Sequence, residues 1–481
     1  MSALKRFLAV FILLCILLSF CSCGGTGADA RIYFSLEKMP ETLDPQVASS
    51  DSELLVCRNI YEGLIRQNEK GEIVPGAAKS YEFSSLTYTF TLRENLRWSD
   101  GEPLKAEDFV FGIKRALSPE TRAPFARLLY AIAGAAEFNS GKKTVTPASA
   151  LGISAPDDKT VVIKLAYDDK NFLKALSMPV SMPCRKEFFI ESTGKYGLEK
   201  DCVLSNGSYR LARWNKEDFG IRLYKNDEYT GTFKPKNGGV FISRDKEKSV
   251  SEKLLSGDSD IALLSAEYLP EIKAQGIKET SVQNICWILS LGGDFNENIR
   301  RALLGCISAD VYGKILPVGF TVANSFFPGC LNAETDDMSY HLPYDPTASR
   351  EIISKEIKGF ENKKFPQTTL IYANTEPLRP VITEIVGDWQ KNLSTFINIK
   401  PTDKSLEGQL LEQTLPISVF PVKAESTTEE YIYKFNDKYY KGYRFMPIAF
   451  EETTLGYRDN LNGVYMNYSG GYIDFSYVTK K

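Results

Sequence analysis

Histidine chemistry has a single seat in this chain. His341 is the only histidine among 481 residues. A Ser-His-Asp triad would have to pass through it, and no site with two histidine ligands can be assembled. It lies in Tyr340-His341-Leu342-Pro343, just before a helix signal, which suits a surface loop. No Gly-x-Ser-x-Gly elbow is present. The stretch from Gly134 to Lys143 comes nearest to a phosphate loop, but its spacing is wrong and neither Ser nor Thr follows Gly-Lys. Gly257-Asp258-Ser259-Asp260 has too few acids for a calcium loop. Nine cysteines are present, and six lie beyond the first 23 residues: Cys57, Cys184, Cys202, Cys286, Cys306 and Cys330. None sits in a C-x-x-C pair, so metal and redox readings are weak. An even number permits disulfides, with Cys184 and Cys202 the nearest pair, and buried free thiols fit equally well. These residues lead us to expect no catalytic group, no metal and no cofactor.

The elements that must position any site alternate between two periods. Ile32, Phe34 and Leu36 alternate as in a half-buried strand, as do Tyr88, Phe90 and Leu92, and Val161, Ile163 and Leu165. Ser50 and Glu53 have capping-box spacing before the stripe Leu54, Cys57, Tyr61, Leu64. Phe109, Ile113 and Ala116 mark another helix, bounded by Pro119. Residues Thr368 to Ala373 are β-like, Pro380 opens a helix carrying Val381, Ile382, Ile385, Val386, Trp389 and Leu393, and Phe396 to Ile399 is β-like again. That order is a βαβ crossover with parallel pairing. Asp345-Pro346 caps and opens one more helix. The length implies more than one core, so the class is α/β with more than one lobe. A net charge of −3 excludes a basic field for nucleic acid over the whole chain.

The amino terminus is a targeting segment. Lys5 and Arg6 precede fourteen uncharged residues, Phe7 to Phe20, too few for a span of about 20 residues but right for a signal-peptide core. The following Leu18-Ser19-Phe20-Cys21-Ser22-Cys23-Gly24-Gly25 resembles a bacterial lipoprotein cleavage box. Cys23, with Ser22 before it and a Gly-rich tether after it, is the favoured lipidation site, with Cys21 the alternative. We therefore expect a signal peptide over 1–22, a tether over 23–30 and an extracytoplasmic, lipid-anchored body.

Several segments resemble the family 5 extracytoplasmic solute-binding proteins, the peptide and nickel class that serves ABC importers. They are Leu43-Asp44-Pro45, Asn59-Ile60-Tyr61-Glu62-Gly63-Leu64-Ile65, Gly71 to Ser80, Tyr88 to Arg93, and Trp98-Ser99-Asp100-Gly101-Glu102-Pro103 with its continuation to Val110. Ser205-Asn206-Gly207-Ser208-Tyr209, Lys225-Asn226-Asp227-Glu228-Tyr229, Gly257 to Ala262 and Ile299 to Leu303 follow in the same order. Read for physics, Ser99-Asp100-Gly101 is a turn, Trp98 a packing anchor and Asn206-Gly207 a tight turn between Val203 and Tyr209.

The resemblance implies a two-lobed periplasmic-binding-protein type II fold with an extra subdomain in the first lobe. By analogy lobe I takes 31–49, 151–280 and 456–481, the subdomain 50–150 and lobe II 281–455. It implies a monomer that binds a peptide or other small solute, partners ABC permease subunits, meets the membrane through its lipid anchor and binds no nucleic acid. Lys38 to Thr42 is the expected strand edge for a ligand backbone, placing Met39, Pro40 and Glu41 at the ligand. Phe125, Cys286, Trp287 and Tyr372 are the other expected ligand contacts. One departure stands out. Peptide-binding relatives carry an acidic residue that holds the peptide's amino end, whereas Leu415 to Ala424 has no carboxylate and offers Lys423. Glu425, Glu429 and Glu430 are the replacement anchors to consider.

Overall fold

Ile32 and Phe34 turn inward from the first strand and Tyr33 turns outward, and the same alternation builds most of the sheet that follows. The computed structural model describes residues 30–141, 150–215, 220–292, 295–326, 341–360, 363–373, 376–402, 417–423, 442–466 and 473–481. Cys21, Cys23, Cys330, Glu425, Glu429 and Glu430 lie outside the described residues.

In chain order the strands are β1 (Ile32–Ser35), β2 (Ile65–Gln67), β3 (Ile73–Pro75), β4 (Ala78–Ser84), β5 (Thr87–Leu92), β6 (Ile153–Asp157), β7 (Thr160–Lys164), β8 (Tyr209–Asn215) and β9 (Gly220–Lys225). There follow β10 (Val240–Ser243), β11 (Ile261–Leu264), β12 (Lys278–Leu291), β13 (Phe320–Val322), β14 (Thr368–Ala373), β15 (Ile397–Thr402), β16 (Ile417–Lys423) and β17 (Phe445–Tyr457). One large sheet runs β15-β14-β16-β12-β17-β11-β1-β10-β9-β8, with β13 added on β17. A separate sheet runs β4-β5-β7-β6. Its last two strands lie beyond residue 150, so the expected limit of the extra subdomain at that position cuts through the sheet.

The large sheet carries two main cores. Ile32, Phe34, Ile221, Leu223, Val240, Ile242 and Ile261 belong to the first, which also takes in the helix Asp51–Ile60 and the small sheet. Trp287, Leu289, Leu291, Leu370, Ile417, Val419, Met446 and Ile448 belong to the second, packed under the helices Glu297–Leu304, Pro346–Glu356 and Arg379–Leu393. The predicted βαβ unit is present: β14 and β15 pair in parallel on either side of the helix Arg379–Leu393 in sequence. The predicted caps form too. Ser50 and Glu53 close a capping box, and Asp345 accepts from the Ala348 amide at 2.9 Å.

Several motifs meet at Glu62, whose side chain is 2 % exposed. Arg93 pairs with it, Arg66 approaches at 3.5 Å and the Tyr229 hydroxyl donates at 2.5 Å. The Glu62 amide donates to Asn206 Oδ1 at 3.1 Å, and Asn206 Nδ2 donates to the Glu62 carbonyl at 2.8 Å. This corrects the tight-turn reading of Asn206-Gly207. Both amides donate to the Ile60 carbonyl, and a Cβ on Gly207 would stand 2.8 Å from the Ile60 backbone. The glycine serves a close approach of two chains rather than a hairpin.

Trp98 is fully buried and its indole donates to Asp108 at 3.1 Å. Gly101 takes φ +90°, as the turn requires. Asp44 accepts from Arg115 at 2.7 Å, and the same guanidinium reaches Gln46 Oε1 at 2.7 Å and stacks 4.4 Å from the Phe189 ring. Of the two readings left open for Cys184 and Cys202, the structure has free thiols, not a disulfide. Cys184 is committed to the buried neighbourhood of Asp44 and Arg115, where burial pushes its thiol up to about 12, while Cys202 ends a short turn at the half-exposed rim. His341 is half-buried, with Nε2 2.9 Å from the Pro447 carbonyl, rather than free in a surface loop.

Burial raises the Asp108 carboxyl to about 6, although the Lys105 amide and the Trp98 indole both donate to it. The folded chain therefore binds this proton more tightly than the unfolded chain, and the group's contribution to stability falls as pH rises from 3.8 toward 6. Asp108→Asn keeps an acceptor for both donors. Urea unfolding between pH 4 and 6.5 is expected to give the variant a flatter profile than wild type, the difference reaching up to about 3 kcal/mol.

Candidate functional site

Strand direction locates the site. β1, β10 and β11 run parallel, and β11 pairs antiparallel with β17 so that Leu264 faces Thr454 and Ile261 faces Tyr457. Since β17 runs from the second core to the first, the carboxyl ends of these three strands point toward the second core. β14, β15 and β16 are also mutually parallel, and β16 opposes β12 with Lys423 at Ile285 and Ile417 at Leu291. Their carboxyl ends point back toward the first core. Two sets of strand ends thus face each other, and ligands of open α/β sheets bind outside carboxyl ends.

Between them, among the described residues, only β12 and β17 carry the sheet across. Val282 and Leu455 still belong to the first core, while Ile285 and Ala449 belong to the second. At the changeover the ladder slips: Gln283 pairs with Glu452 but Ile285 with Glu451, leaving Asn284 as an inserted residue. A second slip follows between Trp287 and Ile288. Such bulges bend and twist a strand locally. Asn284 is buried and its Oδ1 accepts from Thr453 Oγ1 at 2.8 Å. Gln283 donates to Thr321 at 2.9 Å and the Trp287 indole to Glu451 at 2.8 Å.

The expected ligand residues fall into three groups. Met39, Pro40 and Glu41 follow β1 and so lie at the carboxyl end of the first set of strands. The segment is irregular rather than a strand, because β1 stops at Ser35. The Glu53 carboxylate takes the amides of Glu41, Thr42, Ser49 and Ser50, the first pair at 3.2 and 3.3 Å and the second at 2.9 Å each. Burial opposes the charge on Glu53, yet these donors hold its carboxyl below the usual range. Met39 and Pro40 are buried, and exposed Glu41 pairs with Lys38 at 3.0 Å.

Cys286, Trp287 and Tyr372 lie at the right level, but packing takes their side chains. Cys286 is fully buried with Ile288, Phe326, Phe420 and Phe450 on one face of the sheet, and burial drives its thiol far above the usual range. Trp287 and Tyr372 belong to the second core on the opposite face. Phe125 is half-buried at the margin of the first core, ahead of the turn Ala126–Leu129.

Sequence reasoning missed Asn284, Glu451 and Thr453, whose role depends on a bulge that no local pattern announces. It also missed Ser35, whose buried hydroxyl has no hydrogen-bond partner among the described residues, and Ser243, which accepts from buried Lys253 at 2.8 Å. Both serines end parallel strands and are register partners. Among the described residues no group of three or more His, Cys, Asp or Glu could hold a metal ion, and no helix is long and apolar enough to cross a membrane.

Two α/β lobes, facing each other across a two-strand crossing, define the type II class of solute-binding proteins. The model of the bacterial extracellular solute-binding proteins, family 5, matches residues 72–444, and the chain belongs to that family. It is 27% identical over 388 residues to the dipeptide-binding protein DppE of Bacillus subtilis, a match covering 78% of this chain and 70% of that protein. It is 29% identical over 408 residues to the dipeptide-binding protein of Lactococcus lactis, covering 79% of this chain and 74% of the relative. The structure of Listeria monocytogenes OppA bound to peptide superposes with a TM-score of 0.73 at 21% identity, covering 94% of this chain and 99% of the other, a likeness of fold.

The packing of Trp287 leads to a prediction. Trp287→Ala should lower stability by about 3–5 kcal/mol through the cavity it leaves. Trp287→Phe, losing the bond to Glu451 and part of the ring volume, should cost less, about 2–3 kcal/mol. Urea denaturation checks both; an unchanged midpoint for the alanine variant would contradict the assignment to the core.

Proposed function

We propose that this family 5 protein captures oligopeptides between its lobes and delivers them to an ABC permease, as a monomer held at the bacterial membrane by a lipid on Cys23 or, alternatively, Cys21. It binds without catalysis. Lobe I comprises 31–49, 165–280 and 456–481, lobe II 281–455, and the extra subdomain extends from 50 through the small sheet, to residue 164. The observation that carries this reading is the pair of facing strand ends joined, among the described residues, by β12 and β17 alone. A ligand placed there touches both lobes only when they close, so binding favours the closed state. A peptide backbone, held as an added strand, suits such a site because main-chain bonds tolerate varied side chains. The names of the dipeptide-binding relatives support this substrate class.

A second reading, capture of a non-peptide solute, is favoured by one observation. The stretch 415–424 lacks the acidic anchor for a peptide amino end, and β16 instead ends at Lys423, beside Ile285 at the crossing. Thermal melting against pools of tri- to pentapeptides, sugars and metal chelates separates the readings. At about 100 times Kd a true ligand adds about 2.7 kcal/mol. Stabilisation by peptides alone is the expected result; stabilisation only by another solute would replace peptide with that class.

A further inference from the structure

Among the described residues, a helix covers only part of the outer face of the first lobe's sheet. The helix Val250–Ser256 packs on β11 through Val250, Leu254 and Ala262. Beyond it, β1, β10, β9 and β8 turn Phe34, Ile242, Ile221 and Leu211 into the first core and present their other faces outward. That outer face is a layer of arginine on aromatic rings. Tyr33 and Phe241 are register partners with ring centroids 5.5 Å apart, and Arg222 is the next partner in the same row, its guanidinium carbon 5.0 Å from the Phe241 centroid. Arg31 lies 5.2 Å from the same ring, and Arg210 lies 5.9 Å from Tyr224, its register partner. Tyr33 is 42% exposed, and Arg31 and Arg222 are exposed. Among the described residues none of these three guanidiniums has a carboxylate partner.

We propose that this arginine–aromatic face rests on the anionic phospholipid surface of the membrane. Three observations converge on that occupant. The face is cationic, and Arg31, Arg210 and Arg222 have no carboxylate partner among the described residues, so it complements anionic headgroups. It combines guanidiniums with amphipathic rings in one layer, the side-chain types that settle at a membrane–water boundary. And it begins at Arg31, eight residues after Cys23, a stretch that reaches at most about 28 Å when fully extended. A lipid on Cys23 therefore keeps the start of β1 near the headgroups, and on β1, β10, β9 and β8 this is the face turned away from the first core. The inference rests on the lipid-anchor part of the proposed function and not on the identity of the solute.

The test uses the full chain reconstituted in vesicles of phosphatidylcholine, with or without about one third phosphatidylglycerol. Modification by phenylglyoxal, an arginine reagent, is followed site by site by mass spectrometry. Arg31, Arg210 and Arg222 should react about threefold more slowly, or slower still, in the anionic vesicles. The difference should vanish at about 1 M salt, where the screening length is ~3 Å. Arg379, exposed at the start of a second-lobe helix, serves as the internal standard. Equal rates in both vesicle types for vesicle-bound protein would overturn the membrane contact while leaving the anchor intact. Protection that arises only with permease subunits in the vesicles would overturn it in favour of a protein partner. A chain that stays on neither vesicle would overturn both the anchor and this contact, and neither outcome touches solute binding.

Discussion

The structure depends on two neighbouring strands that have to serve two cores. β12 and β17 pair from Lys278 opposite Tyr457 to Ser290 opposite Phe445, and within that ladder the buried side chains change allegiance from one lobe to the other. A regular antiparallel ladder would hold both lobes to one twisted surface. Here the inserted Asn284 interrupts the ladder at the changeover from Val282, in the first core, to Ile285, in the second. The bulge is paired rather than loose, because Asn284 accepts from Thr453. A bulge at the boundary between two separately packed cores is where hinge closure would bend the chain while each core stays packed.

The first lobe meets that demand through buried charge. Glu62 gathers Arg93, Arg66 and Tyr229, while Asp44 gathers Arg115 and Gln46. Removing one partner from such a group leaves an uncompensated charge in the interior. Asn59, Glu62 and Asn206 also tie the helix Asp51–Ile60 to distant chain segments, Asn59 reaching the Ile473 carbonyl at 2.9 Å. The recognisable motifs of the chain are mostly these ties. They define a rigid platform, and for that reason they identify the fold and say little about the solute.

Local rules were legible where local interactions decide. The capping box at Ser50 and Glu53, the αL turn at Gly101 and the βαβ unit around Trp389 all rest on local spacing. Elements fixed by distant partners were not. Asn206-Gly207 has the composition of a hairpin turn, but its geometry is set by the Ile60 carbonyl nearly 150 positions away. Cys286 and Trp287 were expected at the lobe crossing and Tyr372 at the end of a second-lobe strand, yet their side chains are taken up by packing on the two faces of the sheet, which no local pattern in the sequence marks. The bonds of Glu53 to the 41–50 segment were legible only in part, as a cap; its hold on the Glu41 and Thr42 amides needed the folded chain.

Small-angle X-ray scattering of the chain, free and saturated with a pool of tri- to pentapeptides, tests the hinged two-lobe account most directly. The account predicts a lower radius of gyration and the loss of the longest interatomic vectors on saturation. Superimposable profiles, with binding shown on the same sample by calorimetry, would contradict it.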